Sequence, residues 1–250
     1  MRIIDFHTHL DDRWFDTPLL TAQQYINGLD RLKIDHACIF TIMGFYEDCP
    51  KHNDLLAAHA RANPGRLFPF VTVDPKLGKT AVAELERCIE MNIFRGIKFH
   101  PWLQSFAPSM VKGTMIDILK RAAEMNWPVL YHDGTPPYAT TFQAVETARW
   151  VEGATIVLGH AGLADYTQAA AQAMRDLPNV YGCLCGPRTG DLKFIIETAG
   201  VEKCLFGSDY GLSDYLVLQD RLNSVLACGL SEGELDQVLF KTSARLLRID

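Results

Sequence analysis

Nowhere along the 250 residues does an uncharged apolar stretch approach the roughly 18 residues that a membrane-spanning helix needs, so no such helix is expected. Clusters of Lys and Arg are also missing. With a net charge of −6, that argues against nucleic acid or an anionic membrane surface as a partner. The seven cysteines are an odd number and fall mostly inside predicted strands or helices, which argues against a disulfide framework. The chain enters a strand-like run at once, with no basic segment and apolar stretch before it, so a cytoplasmic protein is expected. No linker, low-complexity run or charge block divides it, and residues 1–250 read as one domain. What is plentiful is apolar residue: 48% hydrophobic against 22% charged supports a large core, and the length is typical of a single α/β barrel.

Short apolar, β-branched or aromatic runs recur at Ile3–His9, Ala37–Ile42, Leu67–Val73, Gly96–His100, Val129–His132, Thr155–His160, Val180–Leu184 and Cys204–Asp209. Between them lie helix-like segments at Ala22–Leu32, Asp54–Asn63, Thr80–Met91, Ile116–Met125, Phe142–Val151, Tyr166–Arg175 and Leu192–Thr198. Two more follow at Asp214–Cys228 and Ser231–Phe240, the latter opened by a capping-box pair, Ser231 and Glu234. Near-continuous apolar strands alternating with helices imply a parallel sheet covered on both faces. A (β/α)8 TIM barrel with extra C-terminal helices explains the count. The alternative is an open doubly wound sheet, but no Gly-rich phosphate loop follows the first strand.

In such a barrel, chemistry gathers at the C-terminal ends of the strands. Five of the eight histidines fall there: His7 and His9 on the first strand, His100 on the fourth, His132 on the fifth and His160 on the sixth. Asp209 ends the eighth. His7 and His9 are two residues apart, so on a strand they share a face and can converge on one ion; the alternative for such a pair alone is two core histidines with local hydrogen-bond partners. Among the other histidines, His36 precedes the second strand at the opposite rim, His59 belongs to a helix, and His52 follows the second strand within conceivable reach of a substrate.

Two imidazoles from the first strand, one from the fifth and the Asp209 carboxylate make a set that suits Zn²⁺, with Mn²⁺ as the alternative, and leaves a position for water. One ion per chain is expected rather than two. Such an ion lowers the pKa of bound water towards neutrality. Asp209 could also take the water's proton, and His160 would act as a base or polarise a carbonyl. In Gly96-Ile97-Lys98-Phe99-His100, alternation puts Lys98 and His100 on one face and the apolar pair on the other. Lys98 then points into the barrel mouth, as an anchor for an anionic substrate, as a carboxylated bridge between two metals, or as a structural partner of an internal carboxylate such as Asp5.

The run IIDFHTHL, followed in order by GIKFHP, LYHDG, LGHAG, FGSDY and the closing FKTSARLLRI, resembles the amidohydrolase superfamily, in particular its amidohydrolase-related branch of small metal-dependent barrels. The resemblance spans essentially the whole chain. It implies metal ligands at His7, His9, His132 and Asp209, a catalytic or second-metal position at His160, and the strand-four lysine position at Lys98. It also implies hydrolysis of amides or lactones, decarboxylation of aromatic or unsaturated acids, or hydration, and makes a homodimer the preferred assembly. The chain departs from the pattern at Tyr210-Gly211, where a proline is usual, and in Cys183-Leu184-Cys185-Gly186-Pro187-Arg188 after the seventh strand. Cys183 and Cys185 read as small residues packing the barrel interior rather than as soft ligands.

Loops after the strands offer Arg13, Trp14, Tyr46, Trp102, Gln104, Tyr138 and Arg188 for a small, flat, carboxylate-bearing substrate, because Arg clamps carboxylates bidentately. Lys98, His100, Trp102 and Arg188 are the substrate-binding residues this reading selects. The expected reaction is metal-dependent hydrolysis of a C–N or C–O bond. The alternatives are a non-oxidative decarboxylase and a non-catalytic barrel that keeps its ligands for stability.

Overall fold

Eight short runs that are apolar on both faces need cover on both sides, and the computed structural model, which describes residues 1–249, provides it with a ring of helices. The strands are β1 (Ile4–His9), β2 (His36–Phe40), β3 (Leu67–Val71), β4 (Gly96–Phe99), β5 (Pro128–Tyr131), β6 (Thr155–Leu158), β7 (Val180–Cys183) and β8 (Cys204–Leu205). They lie side by side in sequence order, each parallel to the next. The helices α1 (Ala22–Arg31), α2 (Cys49–Ala62), α3 (Lys79–Glu90), α4 (Lys112–Met125), α5 (Thr141–Thr147), α6 (Thr167–Asp176) and α7 (Thr189–Ala199) fill the crossovers. The chain leaving β8 returns to β1: the Phe6 N–H donates to the Phe206 carbonyl (2.9 Å), Asp209 N–H to the His7 carbonyl (2.8 Å) and His9 N–H to the Tyr210 carbonyl (2.7 Å). The result is a nearly closed (β/α)8 TIM barrel.

All eight expected strands form. Most stop short of the expected ends, so His100, His132, His160 and Asp209 stand in the loops just beyond them. Helix α5 ends at Thr147 rather than Val151, because the N–H groups of Ala148, Arg149 and Trp150 bond three residues back and tighten the chain into turns. The C-terminal part contains α8 (Tyr215–Leu226), α9 (Glu232–Asp236), a wider π turn over Gln237–Lys241, and α10 (Thr242–Leu247). The Ser231–Glu234 capping box opens α9 as its sequence suggests.

Two apolar layers hold the barrel. Between strands and helices pack Ile39, Ile97, Phe99, Leu119 and Ile195. Inside the barrel pack Ile4, Phe6, Phe40, Phe70, Leu130 and Val157, and Phe240, Ala244 and Leu247 from the C-terminal segment join them. Strand β1 is irregular. Asp5 pairs with Ala37 but Thr8 with Ile39, so β1 spends one extra residue against β2, a bulge that reverses which side chains face inward. Before it, Phe6 packs edge-on to Phe70 (5.6 Å between centroids); after it, the His7 ring lies 5.2 Å from Phe40. Thr8 turns outward, its hydroxyl 2.6 Å from the Tyr25 hydroxyl and donating to the Cys38 carbonyl at 2.6 Å.

The bulge is anchored by Asp5. Its fully buried carboxyl accepts from the N–H of His7 (3.2 Å), the N–H of Ser208 (3.1 Å) and the Ser208 hydroxyl (2.5 Å). Burial raises its pKa to about 7 despite those donors. Asp5→Ala should strand three buried donors at the β1–β8 seam. We expect a loss of about 3 kcal/mol, read as a thermal midpoint about 6–12 °C lower; an unchanged midpoint would show that the seam holds without it.

Candidate functional site

The bulge and the β8 exit bring three ligand atoms together at the barrel mouth. His9 Nε2 lies 3.1 Å and His7 Nε2 3.5 Å from Asp209 Oδ1, and the three atoms all lie within 4.8 Å of one another. Ligand atoms around a tetrahedral zinc with bonds near 2.0–2.1 Å are spaced by about 3.3 Å, so the donor set fits such an ion. The outer hydrogen bonds fit as well. A carbonyl only accepts, so His7 Nδ1–H donates to Gly159 (2.8 Å) and His9 Nδ1–H to Thr41 (3.4 Å). Both Nε2 atoms are thereby turned towards Asp209, to donate to its carboxylate when the ring is protonated and to offer a lone pair to an ion when it is neutral. Gly159 must lack a side chain here: a Cβ would stand 2.5 Å from the Tyr131 carbonyl and 2.9 Å from His7 Cε1.

Asp209 takes a left-handed backbone conformation, φ 64°, unusual for a residue with a side chain. Burial alone would raise its pKa, but the hydrogen bond that a protonated His9 donates to it holds it well below the usual carboxylate range. Lys98 is fully buried beneath this group, with Nζ 3.1 Å from His7 Nε2 and 5.0 Å from the centre of the Phe40 ring. Burial lowers its pKa to about 8, Asp209 opposing the shift. As expected from alternation, Ile97 and Phe99 face the helices. Lys98 does not pair with Asp5, whose oxygens are taken by Ser208 and backbone N–H groups.

Beside this trio lies a histidine stack. The rings of His100 and His132 are parallel, 3.7 Å between centroids. His132 uses both nitrogens, Nδ1 with His160 Nε2 (2.8 Å) and Nε2 with the Thr135 hydroxyl (2.8 Å). Burial, before any neighbouring charge, lowers the pKa of His132 and His100 well below the ordinary value and that of His160 to about 4, so these imidazoles are neutral near pH 7. The Leu103 N–H donates to His100 Nδ1 (3.3 Å), which leaves the ring proton on Nε2.

A cavity of about 250 Å³ opens over these groups, with His9, His100, His132, Thr135 and Asp209 as its polar part and Trp14, Ile42, Trp102, Leu103 and Leu212 as its wall. Its floor carries metal-type donors and neutral imidazoles; its wall is apolar and aromatic. No described Arg or Lys lines it.

Residues 4–249 match the profile of the amidohydrolase family. This chain belongs to that family. No functionally curated protein matches the sequence. Among solved structures it is similar to 5-carboxyvanillate decarboxylase from Sphingomonas paucimobilis (16% identity, TM-score 0.75, covering 100% of this chain and 99% of that one). It is also similar to a protein of Acinetobacter baumannii assigned as a 2-pyrone-4,6-dicarboxylic acid hydrolase, solved with citric acid bound (18%, 0.76, 100% of both chains). A third is 4-oxalomesaconate hydratase from Rhodopseudomonas palustris (15%, 0.74, 98% and 95%). Three reactions on one barrel mean that the fold does not name this one. Amidohydrolases are metal-dependent enzymes, and the described residues contain groups that could hold an ion.

Of the residues selected from the sequence, the structure brings His7, His9 and Asp209 together and sets His100, His132 and Trp102 on the same cavity. His160 is buried behind His132 rather than facing the opening. Arg188 is exposed at the start of α7 and does not line the cavity. Trp14 lines it; Tyr46 and Tyr138 do not, and Gln104 is buried, bonded to the His100 N–H and the Val73 carbonyl. Sequence reasoning passed over Thr135 and Asp133. Asp133, inside the LYHDG motif, accepts from the N–H groups of His160 and Gly162 (2.8 Å each) and the Thr141 hydroxyl (2.7 Å), and so clamps the turn that carries His160.

Arg13 is committed elsewhere, donating to both Glu47 oxygens (2.9 and 3.1 Å). Behind them His52 is buried, 3.3 Å from Asp11 and 3.6 Å from Glu47. It therefore ties the Arg13–Trp14 segment to α2 instead of touching a substrate. Burial would lower the His52 pKa, but Asp11 and Glu47 raise it overall. A raised folded-state value adds stability that is present below the ordinary pKa and fades as pH rises through the folded one. The difference in melting temperature between the native protein and His52→Gln should therefore be larger near about pH 5.5 than near about pH 8.5. An equal gap at both would mean that His52 is held neutral.

Proposed function

We propose that this amidohydrolase is a metal-dependent hydrolase of a C–N or C–O bond, of amide or lactone type, in a small carboxylate-bearing molecule. The observation that carries the reading is the convergence of His7 Nε2, His9 Nε2 and Asp209 Oδ1 at the cavity floor. His132, whose Nε2 meets the Thr135 hydroxyl at 2.8 Å, would be the fourth ligand. A Zn²⁺ or Mn²⁺ held there would supply an activated water and polarise the scissile group. Asp209, ionised and adjacent, would accept the proton that the attacking water gives up. His100 offers Nε2–H as a hydrogen-bond donor to the substrate, and His160 acts through His132. Lys98, one layer below, provides positive charge for an anionic group reaching the floor. Trp102 and Trp14 form the wall against which a flat substrate lies. Arg188, which stands away from the cavity, is left without a role in this reading.

The apolar wall also favours a second reading, a non-oxidative decarboxylase of an aromatic or unsaturated acid. There Asp209 or His160 would control protonation of the carbon that loses CO2. A panel of lactones and aromatic acids, followed for proton release against CO2 release, separates the two.

Elemental analysis of protein purified without chelator should find about one Zn²⁺ or Mn²⁺ per chain, and His132→Ala should lose both metal and turnover. Normal metal content in that variant would remove His132 from the ligand set. Lys98→Met should keep its metal and show a raised KM or a lowered kcat; loss of metal instead would make Lys98 part of the ion's own shell.

A further inference from the structure

Cys185 follows β7 in the Cys183-Leu184-Cys185-Gly186 loop, and its buried side chain reaches between His7 and His160. Its sulfur stands 3.0 Å from the Gly159 carbonyl oxygen, 3.4 Å from Nδ1 of His160 and 3.6 Å from Nδ1 of His7. A carbonyl oxygen can only accept, and 3.0 Å is hydrogen-bond distance for a thiol that donates to it. The thiol proton therefore belongs to Gly159, beside the His7 Nδ1–H that the same carbonyl accepts. Burial pushes the thiol pKa well up, so the proton stays on sulfur.

Having one proton, the sulfur can meet His160 only as an acceptor, and His160 must carry its own proton on Nδ1. A neutral imidazole has a single N–H. His160 Nε2 is then bare, and the 2.8 Å contact with His132 requires Nδ1–H of His132 as donor. That leaves His132 with a bare Nε2 on the cavity side, where it accepts the proton of the Thr135 hydroxyl. Reversing the thiol would reverse every bond in the row and present an N–H to the cavity. We propose that Cys185 is a positioning residue that sets the tautomer of His160 and, through it, of His132, so that the His132 Nε2 lone pair faces the cavity. The value of that lone pair to a metal ion rests on the ligand set of the proposed function; the tautomers themselves do not.

The test is long-range ¹H–¹⁵N NMR of metal-free protein labelled in its histidine rings, recorded near about pH 7.5, where the rings are neutral. His132 and His160 should both be protonated at Nδ1. Cys185→Ala should move His160 and His132 into mixed tautomers, and Cys185→Ser, which can still donate to Gly159 and accept from His160, should restore them. In a chelator competition, Cys185→Ala should bind Zn²⁺ about tenfold to a hundredfold more weakly, with Cys185→Ser between it and the native protein. An Nε2–H on native His132, or tautomers unchanged in Cys185→Ala, would overturn the inference. The native spectrum decides the first point even if Cys185→Ala does not fold. The Nδ1 tautomers found in a native protein that binds no Zn²⁺ would support this inference and count against the metal reading alone.

Discussion

The arrangement of the barrel mouth depends on one extra residue in β1. A regular strand that buries Ile4 and Phe6 in the barrel would also bury Thr8 there, and would send His7 and His9 out among the helices. The bulge between Asp5 and Thr8 lets the same strand do both jobs, filling the interior with Ile4 and Phe6 and then turning two imidazoles inward. The cost is a set of local backbone donors with no strand partner. Asp5 collects these donors and joins them to Ser208, so the irregular stretch of β1 and the exit of β8 are held by one carboxyl. Asp209 follows at once, in its left-handed conformation, with its N–H on the carbonyl of His7. Strain of this kind persists only where the surroundings over-determine it.

Around that seam the polar groups are ordered by backbone carbonyls rather than by other charges. Gly159 and Thr41 fix the ring orientations of His7 and His9. The phenylalanine layer below keeps water from the underside of the cluster, which is why Lys98, among Phe40 and the histidines, has its pKa lowered. A buried lysine next to an ionised Asp209 makes the region close to balanced in charge without a direct contact between the two. His7, His100, His132 and His160, whose pKa values burial lowers, add hydrogen-bonding capacity without adding charge.

The strands, their order and the inward face of Lys98 were legible in the sequence because a period of two and a regular strand–helix spacing survive any loop geometry. The histidines were legible for a related reason: their place at strand ends is a property of chain position. What depends on loop conformation was not. Arg188 stands close to a strand end in sequence, yet the chain carries it to the start of α7 and away from the mouth. Arg13 is spoken for by Glu47, an acid thirty-four residues on, which no local pattern pairs with it. The bulge in β1 leaves no mark in a run whose polar residues, Asp5, His7, Thr8 and His9, fall on both alternating sets of positions. Asp133 did leave one, as the residue after His132, but a carboxylate that serves only backbone N–H groups looks the same in sequence as one that serves a substrate. The engagement of both His132 nitrogens is likewise a product of two loops meeting.

The C-terminal segment has a consequence for traffic. Phe240, Ala244 and Leu247 plug the end of the barrel opposite the cavity, and the interior between is filled by aromatic side chains. Among the described residues, the cavity therefore opens on one side of the barrel. Whatever enters past Trp14 and Trp102 must leave the same way, so arrival and departure cannot overlap.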